Sequence, residues 1–543
     1  MIKKITKLLF TIFLFSMSID GQVPYLVKDI GVGSNGFPAN LTPFNGKLYL
    51  SASDYLLGNE LYTSDGTDAG TFMVKDISNL GSSSTPQNIT LFNGMMYFNA
   101  TEWGVGGREI WQSDGTSSGT TMLTDINSGT ADACFNNNPL VQANNNLFFI
   151  AEDGSHGYEL WKTDGTSLGT SLVKDIYPGT TGNNNSVPIA SNNIIFLAAD
   201  DGVNGVELWK SDGTSGGTVM VKDITPGAFG GYPYLFVDVN GVLFFTASNG
   251  TDGFELWKSD GTSSGTVMVK DINPGAGDGN LAEMTNVNGT LFFVANDGVN
   301  GPQLWKSDGT SSGTSIVKII GTLGYQPSNL ANVNGVLYFS AVDDTNGREP
   351  WTSDGTSAGT NMLKDIYPGN FAFSEFRNFT FANGFVYFSG TNDVNGTELW
   401  KTDGTTSGTV FVYDINPGVN NSSPSNLTVV NNTLYFAASD DVHSVELWAL
   451  DISVGINGLS KVQLSTTAVP NPFTSETTIQ IHGIAENIKA ELVLLDVLGN
   501  EVGRKMFNNN SVIVEKANLS SGIYLYKVIS ENNFTATGKI ILN

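Results

Sequence analysis

Residues 207–227 read ELWKSDGTSGGTVMVKDITPG, and variants of this stretch recur along the chain. Aligned on the tryptophan, the slot is filled by Tyr62, Trp111, Trp161, Trp209, Trp257, Trp305, Trp351, Trp400 and Trp448, spaced 46 to 50 residues apart. Self-similarity at that period marks a repeat architecture and decides the fold before any other feature is read. Around the quoted stretch each unit supplies four short strand candidates. An Asn-Leu-Thr-like segment comes first (Asn426-Leu427-Thr428), then an Asn-Gly or Asn-Asn turn, then an aromatic strand such as Leu243-Phe244-Phe245. Glu-Leu-Trp is the third and Val-Lys-Asp-Ile the fourth. Asn-Gly tolerates the positive φ of a tight hairpin, and Ser-Asp-Gly-Thr between the third and fourth strands is a turn of the same kind. The loop from the fourth strand to the next unit is longer and more variable, often with Pro-Gly (Pro226-Gly227, Pro274-Gly275). Variable loops at a constant place gather on one face of a repeat protein.

Four strands per unit of this length predict an all-β fold, a large β-propeller of about nine four-stranded blades. An immunoglobulin-like module needs about twice the length, and no segment shows the 3.6-residue period of helical repeats. The phase of the array predicts closure into a ring. It opens on Val27-Lys28-Asp29-Ile30, a fourth strand, and stops after Glu446-Leu447-Trp448, a third strand. The two halves complete one blade and remove two exposed edges.

The ends of the chain read differently. Lys3, Lys4 and Lys7 precede an apolar run from Leu8 to Met17, so residues 1–21 are expected to be a signal peptide. The repeats then occupy 22–450, a linker 451–461, and a small β-sandwich 462–543. No later apolar stretch is long enough for a transmembrane segment in the mature chain. The formal net charge is -26; residues 1–20 carry +2 and those from 461 onward balance, which leaves -28 on residues 21–460. A field of that sign disfavours nucleic acid as a partner. The single cysteine, Cys134, excludes an intramolecular disulfide and reads as a structural residue.

The repeated side chains have structural readings first. The nine aromatics of the Trp slot are expected to pack against neighbouring sheets, with exposed stacking platforms as the alternative. The Glu two residues earlier recurs in every unit but the sixth, which has Gln303. A Glu–Lys pair with Lys75, Lys174, Lys222 and Lys270 is its expected partner arrangement, since a buried carboxylate needs one. The same sixth unit has Ile319 in the slot of the fourth-strand Asp. Polar turns precede the Glu: Asp200-Asp201-Gly202-Val203-Asn204-Gly205 and the segment with Asp297 and Asn300. Calcium loops use such residues, but so do plain hairpin turns. Turns are the first reading and calcium, the only cofactor considered, the alternative. No zinc spacing links His156, His443 and His482, and no nucleophile elbow or phosphate loop is present; no catalytic residue is assigned.

In the tail, Pro470-Asn471-Pro472-Phe473, the turn Asp496-Val497-Leu498-Gly499-Asn500, Leu519-Ser520-Ser521-Gly522-Ile523-Tyr524 and the closing Gly538-Lys539-Ile540-Ile541-Leu542 stand in order. This set resembles the type A sorting domain of the Bacteroidetes type IX secretion system. The resemblance implies passage across the outer membrane with that secretion machinery as partner, then release or attachment to the cell surface. The repeats in turn resemble the ELWxxDGT, or hyalin-like, repeat family of extracellular bacterial proteins. That resemblance implies adhesion or binding without defining catalytic residues. The function expected is a secreted or surface non-catalytic binding protein whose ligand is a glycan, matrix component or other surface molecule. The alternative is a secreted propeller enzyme acting on polysaccharide.

Overall fold

The computed structural model describes residues 23–78, 81–180, 182, 187–369, 376–453, 465–482, 490–497, 500–508, 511–517, 519–530 and 535–543. The expected signal peptide, most of the expected linker, and Leu498 and Gly499 of the tail lie outside them. Gln22–Ser453 forms one compact unit and the strands from Ser465 onward belong to a second.

Among the described residues the first unit contains nine four-stranded antiparallel sheets, each built from strands consecutive in sequence except the last. The fourth blade is typical: Ile189–Ser191, Ile194–Asp200, Val206–Ser211 and Val219–Lys222 pair in that order, with Leu197 opposite Trp209 and Ala199 opposite Glu207. The second strand of each blade has neighbouring sheets on both faces, so it reads as an unbroken apolar run instead of an alternating one. In the fifth blade Leu243 and Phe245 pack against Leu208 of the fourth, while Phe244 packs against Leu291 and Phe293 of the sixth. Alternation along the Glu-Leu-Trp strand divides its side chains in the same way. Leu208 joins the fifth blade's core, and Trp209 the third blade's Phe148, Ile150 and Leu160.

The ring is closed by its two ends. Tyr25–Lys28 pairs antiparallel with Ser444–Asp451, Tyr25 opposite Ala449 and Leu26 opposite Trp448, as the fourth strand of the ninth blade. Ninth and first blades share a core of Val27, Val430, Tyr435 and Leu447 with Leu48, Leu50 and Tyr62. Among the described residues the innermost strands of seven blades carry a bulge whose second residue is left-handed, an Asn in five of them (Asn40, Asn88, Asn329, Asn378, Asn426). Asn reaches that conformation at low cost, and its amide then ties adjacent blades. Asn40 Nδ2 donates to Pro86 O (3.2 Å), Asn378 Nδ2 to Pro424 O (3.1 Å), and Asn426 Nδ2 to Pro38 O (3.3 Å), the last crossing the closure.

The second unit is a sandwich. Ser465–Val469, Glu476–His482 and Ser511–Glu515 form one sheet; Glu501–Phe507, Ala490–Leu495, Gly522–Ser530 and Thr535–Leu542 form the other. They enclose Phe473, Ile479, Ile481, Leu492, Val512, Tyr526, Val528 and Ile540. Of the tail residues singled out in the sequence, the Pro470–Pro472 segment meets the closing strand and the others brace their own turns. Asn471, between Pro470 and Pro472, donates from Nδ2 to Lys539 O (2.9 Å) and accepts from Ile541 N (2.7 Å). Asp496 accepts from the backbone of Asn500 (2.8 Å), and the Tyr524 hydroxyl, two residues after Gly522, donates to Ser520 O (2.8 Å).

Candidate binding face

Most of the repeat's signature serves architecture. Each slot aromatic lies in a core shared with the preceding blade: Tyr62 with the ninth, Trp111 with the first, and so on through Trp257, Trp305, Trp351, Trp400 and Trp448. Trp161 does the same while remaining partly exposed. Asp-Gly-Thr is equally structural. Asp212 Oδ1 accepts from Thr214 N and Oγ1 (2.8 and 2.7 Å), which holds its carboxyl below the usual range. Gly213, left-handed at φ 89, lies where a Cβ would come 3.0 Å from Phe148 of the preceding blade.

The glutamates do not pair with the lysines, in contrast to the sequence reading. They are fully buried and hold the loop that leaves their own blade. Glu207 Oε2 accepts from Ile224 N (3.0 Å), and Oε1 from Thr225 N (3.0 Å) and Gly231 N (2.8 Å). Glu446 does the same across the closure with Ile30 N and Gly31 N (2.9 and 3.0 Å). Three backbone donors converging on two oxygens are what a loop without its own ladder requires. Burial pushes these carboxyls up, to about 8 in Glu109 and Glu349 and about 7 in Glu255, Glu398 and Glu446, against the lowering effect of the N–H donors.

The lysines instead cross to the next blade. Lys222 Nζ donates to Thr266 O (2.8 Å) over the Trp257 ring, and Lys174 and Lys270 repeat this at Thr218 and Thr314. In the sixth blade Gln303 keeps one contact, accepting from Ile320 N (3.0 Å), and its amide donates to Gly321 O (2.8 Å), an acceptor a carboxylate could not use. The fourth-strand Asp caps the same loop, as Asp271 Oδ2 does for Gly275 N (3.3 Å). The sixth unit's joint loss of Glu and Asp is therefore one rebuilt loop.

Antiparallel order puts the turns between second and third strands at the same end of every blade as the loops that leave the fourth. Hydrogen bonds join the two sets. Phe254 N donates to Asp278 Oδ1 (2.9 Å), Arg108 N to Asp132 Oδ1 (2.7 Å) and Thr397 N to Asn421 Oδ1 (2.8 Å). This is the candidate site, and its chemistry is one-sided. The nine turns contain thirteen Asp or Glu and the nine loops eleven; against them stand Arg108 and Arg348, at the strand ends that follow two of the turns, whose guanidiniums are engaged by Thr85 and by Ser328 and Gln326. The lysines gather at the opposite end, Lys28, Lys75, Lys162, Lys174, Lys210, Lys222, Lys270, Lys306, Lys318 and Lys364 all donating to carbonyls of the Asp-Gly-Thr loops.

Large apolar side chains stand exposed among the acids, including Leu56, Trp103, Val203, Phe229, Val299 and Val442. Polar atoms of the turns are engaged locally. Asp200 Oδ1 accepts from Gly202 N (2.7 Å); Asp201 accepts from Val203 N, Asn204 N and Asn204 Nδ2 (2.9, 2.9 and 2.8 Å). Asp297 does the same with Val299 and Asn300. Among the described residues no group of three or more His, Cys, Asp or Glu is placed to hold a metal ion.

One feature of this face went unread in the sequence. The bulge residue is Leu235 in the fifth blade and Glu283 in the sixth, and beside Leu235 lies an apolar cavity of about 350 Å³ against the fourth blade. Pro233-Tyr234-Leu235, set against Pro38-Ala39-Asn40, Pro327-Ser328-Asn329 and Pro424-Ser425-Asn426, was the signal.

Comparison with solved structures finds distant likenesses. PorZ, a surface component of the type IX secretion system of Porphyromonas gingivalis, aligns over 93% of this chain and 75% of its own, at 13% identity and TM-score 0.32. The β-propeller domain of the Trilobed protease from Pyrococcus furiosus aligns over 59% and 95%, at 8% identity and TM-score 0.32. The extracellular domain of BT4673 from B. thetaiotaomicron aligns over 94% and 82%, at 12% identity and TM-score 0.29. Scores this low carry no inference about activity. No curated protein matches the sequence, and no helix among the described residues is long and apolar enough to cross a membrane. Residues 467–543, the sandwich in which Asn471 and Lys539 are joined, match the secretion system C-terminal sorting domain family, which makes this a protein exported through the type IX system to the exterior or the cell surface.

Proposed function

We propose that the propeller is a non-catalytic binding module, of the ELWxxDGT adhesion type, that presents its acidic loop face to an extracellular ligand. The observation that supports this best is the division of labour within the repeat. Trp, Glu and Asp-Gly-Thr are committed to packing, while the loops that vary between units share one face with exposed apolar side chains. Multivalent or extended binding suits such a surface. The eight repeated glutamates are each buried against the backbone of their own blade, whereas a glycosidase needs two carboxyl groups facing one sugar, about 5–9.5 Å apart.

The test is binding of the purified chain to arrays of oligosaccharides and peptides, followed by product analysis of every hit. Ligand recovered unmodified supports the reading; new reducing or unsaturated ends would replace it with a polysaccharide-processing enzyme.

A further inference from the structure

We propose that the notch between the fourth and fifth blades anchors a cationic polypeptide segment bearing an apolar side chain; this rests on the loop face being the binding surface. The notch is lined by Val187, Ile189 and Ala198 of the fourth blade and Tyr234, Leu235 and Phe236 of the fifth. Its left-handed bulge position carries Leu, a poor choice on backbone grounds, where five other blades carry Asn. Leu235 has φ 54, a conformation that suits Asn and strains a bulky side chain. Nor does folding hide it: Leu235 is 37% exposed, Tyr234 43% and Phe229 83%. A strained, exposed apolar residue gains most when something covers it.

The rest of the notch is built to receive a side chain. The Tyr234 ring packs edge-on against Phe254 at 5.7 Å, which fixes one wall. Val187 and Ile189 form the other, and the cavity of about 350 Å³ has room for one or two aliphatic side chains.

Charge selects the occupant. Asp278 accepts from Phe254 N, beside the Tyr234 wall, and Asp200, Asp201 and Asp252 stand in the turns of the two flanking blades. No Lys or Arg lies in the turns 200–205 and 249–253 of these two blades or in the loops 223–233 and 271–281 beside them. Anionic polysaccharide and acidic protein are repelled, and neutral sugar gains nothing from the field. A segment with Lys or Arg flanking a Leu, Ile or Phe gains from both the charge and the cavity.

The experiment measures binding of fluorescent decapeptides to the purified chain. The probes alternate Lys with Leu, Lys with Ser, or Glu with Leu; neutral glucan oligosaccharides form a fourth arm. The Lys–Leu peptide should bind at least tenfold more tightly than Lys–Ser, Glu–Leu should not bind, and added salt should weaken the complex. The double variant Tyr234→Ser/Leu235→Asn installs the Pro-Ser-Asn of the seventh and ninth blades, so it should fold with an undiminished melting temperature. It should reduce Lys–Leu binding to the Lys–Ser level. Leu168→Ser, at a fully exposed leucine of an Asp-Gly-Thr loop, should change nothing. Absence of Lys–Leu binding, or equal binding by wild type and double variant, overturns the proposal. Glucan bound by the wild type and lost in the double variant, with no peptide bound, overturns the partner's chemistry and leaves the binding face standing.

Discussion

Gly115 shows how little of the repeat's signature is free to vary. It sits at φ 93, and a Cβ there would come 2.2 Å from the Tyr49 hydroxyl of the preceding blade. Gly115→Ala is expected to destabilise the propeller by about 1–3 kcal/mol through backbone strain and the clash with Tyr49. Gly216, which has open space around it and no positive φ, should accept Ala with less than about 0.5 kcal/mol of change. Urea unfolding of the two variants checks the pair. Glu207→Gln removes the charged acceptor of three backbone N–H groups and is expected to cost about 1–3 kcal/mol.

The glutamates as a set also give a pH dependence. Their folded carboxyls lie above the ordinary value because of burial, at about 7–8 where the shift is largest. The folded state therefore binds more protons than the unfolded one. That stability is fully present below the unfolded value near 4.5 and is lost as pH rises through about 7–8. The melting temperature should fall between pH 5 and pH 8.5, and a rise over that range would mean the carboxylates are better solvated folded than unfolded. The Trp and Asp-Gly positions were legible because they recur at one spacing. The partner of the Glu was not, because its three donors are backbone groups 17, 18 and 24 residues later, and backbone leaves no trace in residue type.

Tyr25–Lys28 is the element on which ring closure depends. Removing Gln22–Ile30 would leave Ser444–Asp451 as a bare edge, strip Glu446 of its Ile30 donor and cut its other donor, Gly31, loose from the strand that positions it. Loss of several degrees in melting temperature and a gain in aggregation are expected; an unchanged transition would mean the array is open. The half-units at the two ends announced this pairing, since a fourth strand before the first blade and a third strand at the end leave one arrangement that satisfies both. The notch escaped the same reading because it is a departure from the repeat, visible only once Leu235 is seen to take the backbone conformation of Asn. The turns with Asp200, Asp201, Asn204, Asp297 and Asn300 supported two readings from composition alone. The Asp oxygens accept from N–H groups of their own turns, so melts in millimolar calcium and in chelator at equal ionic strength should coincide. A rise of several degrees specific to calcium would assign them an ion.

At the scale of the molecule the distribution of charge matters more than its total. The -28 formal charge of residues 21–460 is distributed so that one rim carries acids and apolar tips, while on the other the lysines stand among the Asp-Gly-Thr aspartates. The sorting domain supplies the route outward, and its core is separate from that of the propeller. Deleting Val469–Asn543 should leave the propeller folded inside the cell and absent from the exterior; wild-type amounts outside would remove the sorting role. The central claim is that ligand meets the acidic loop face. Hydrogen exchange of the purified chain, alone and saturated with its tightest array hit, tests it most directly. Protection should appear in the turns around Asp201, Asp252 and Asp297 and in the loops following Lys222 and Lys270, with none in the Asp-Gly-Thr loops. Protection confined to those Asp-Gly-Thr loops, with the acidic face exchanging as before, would contradict it.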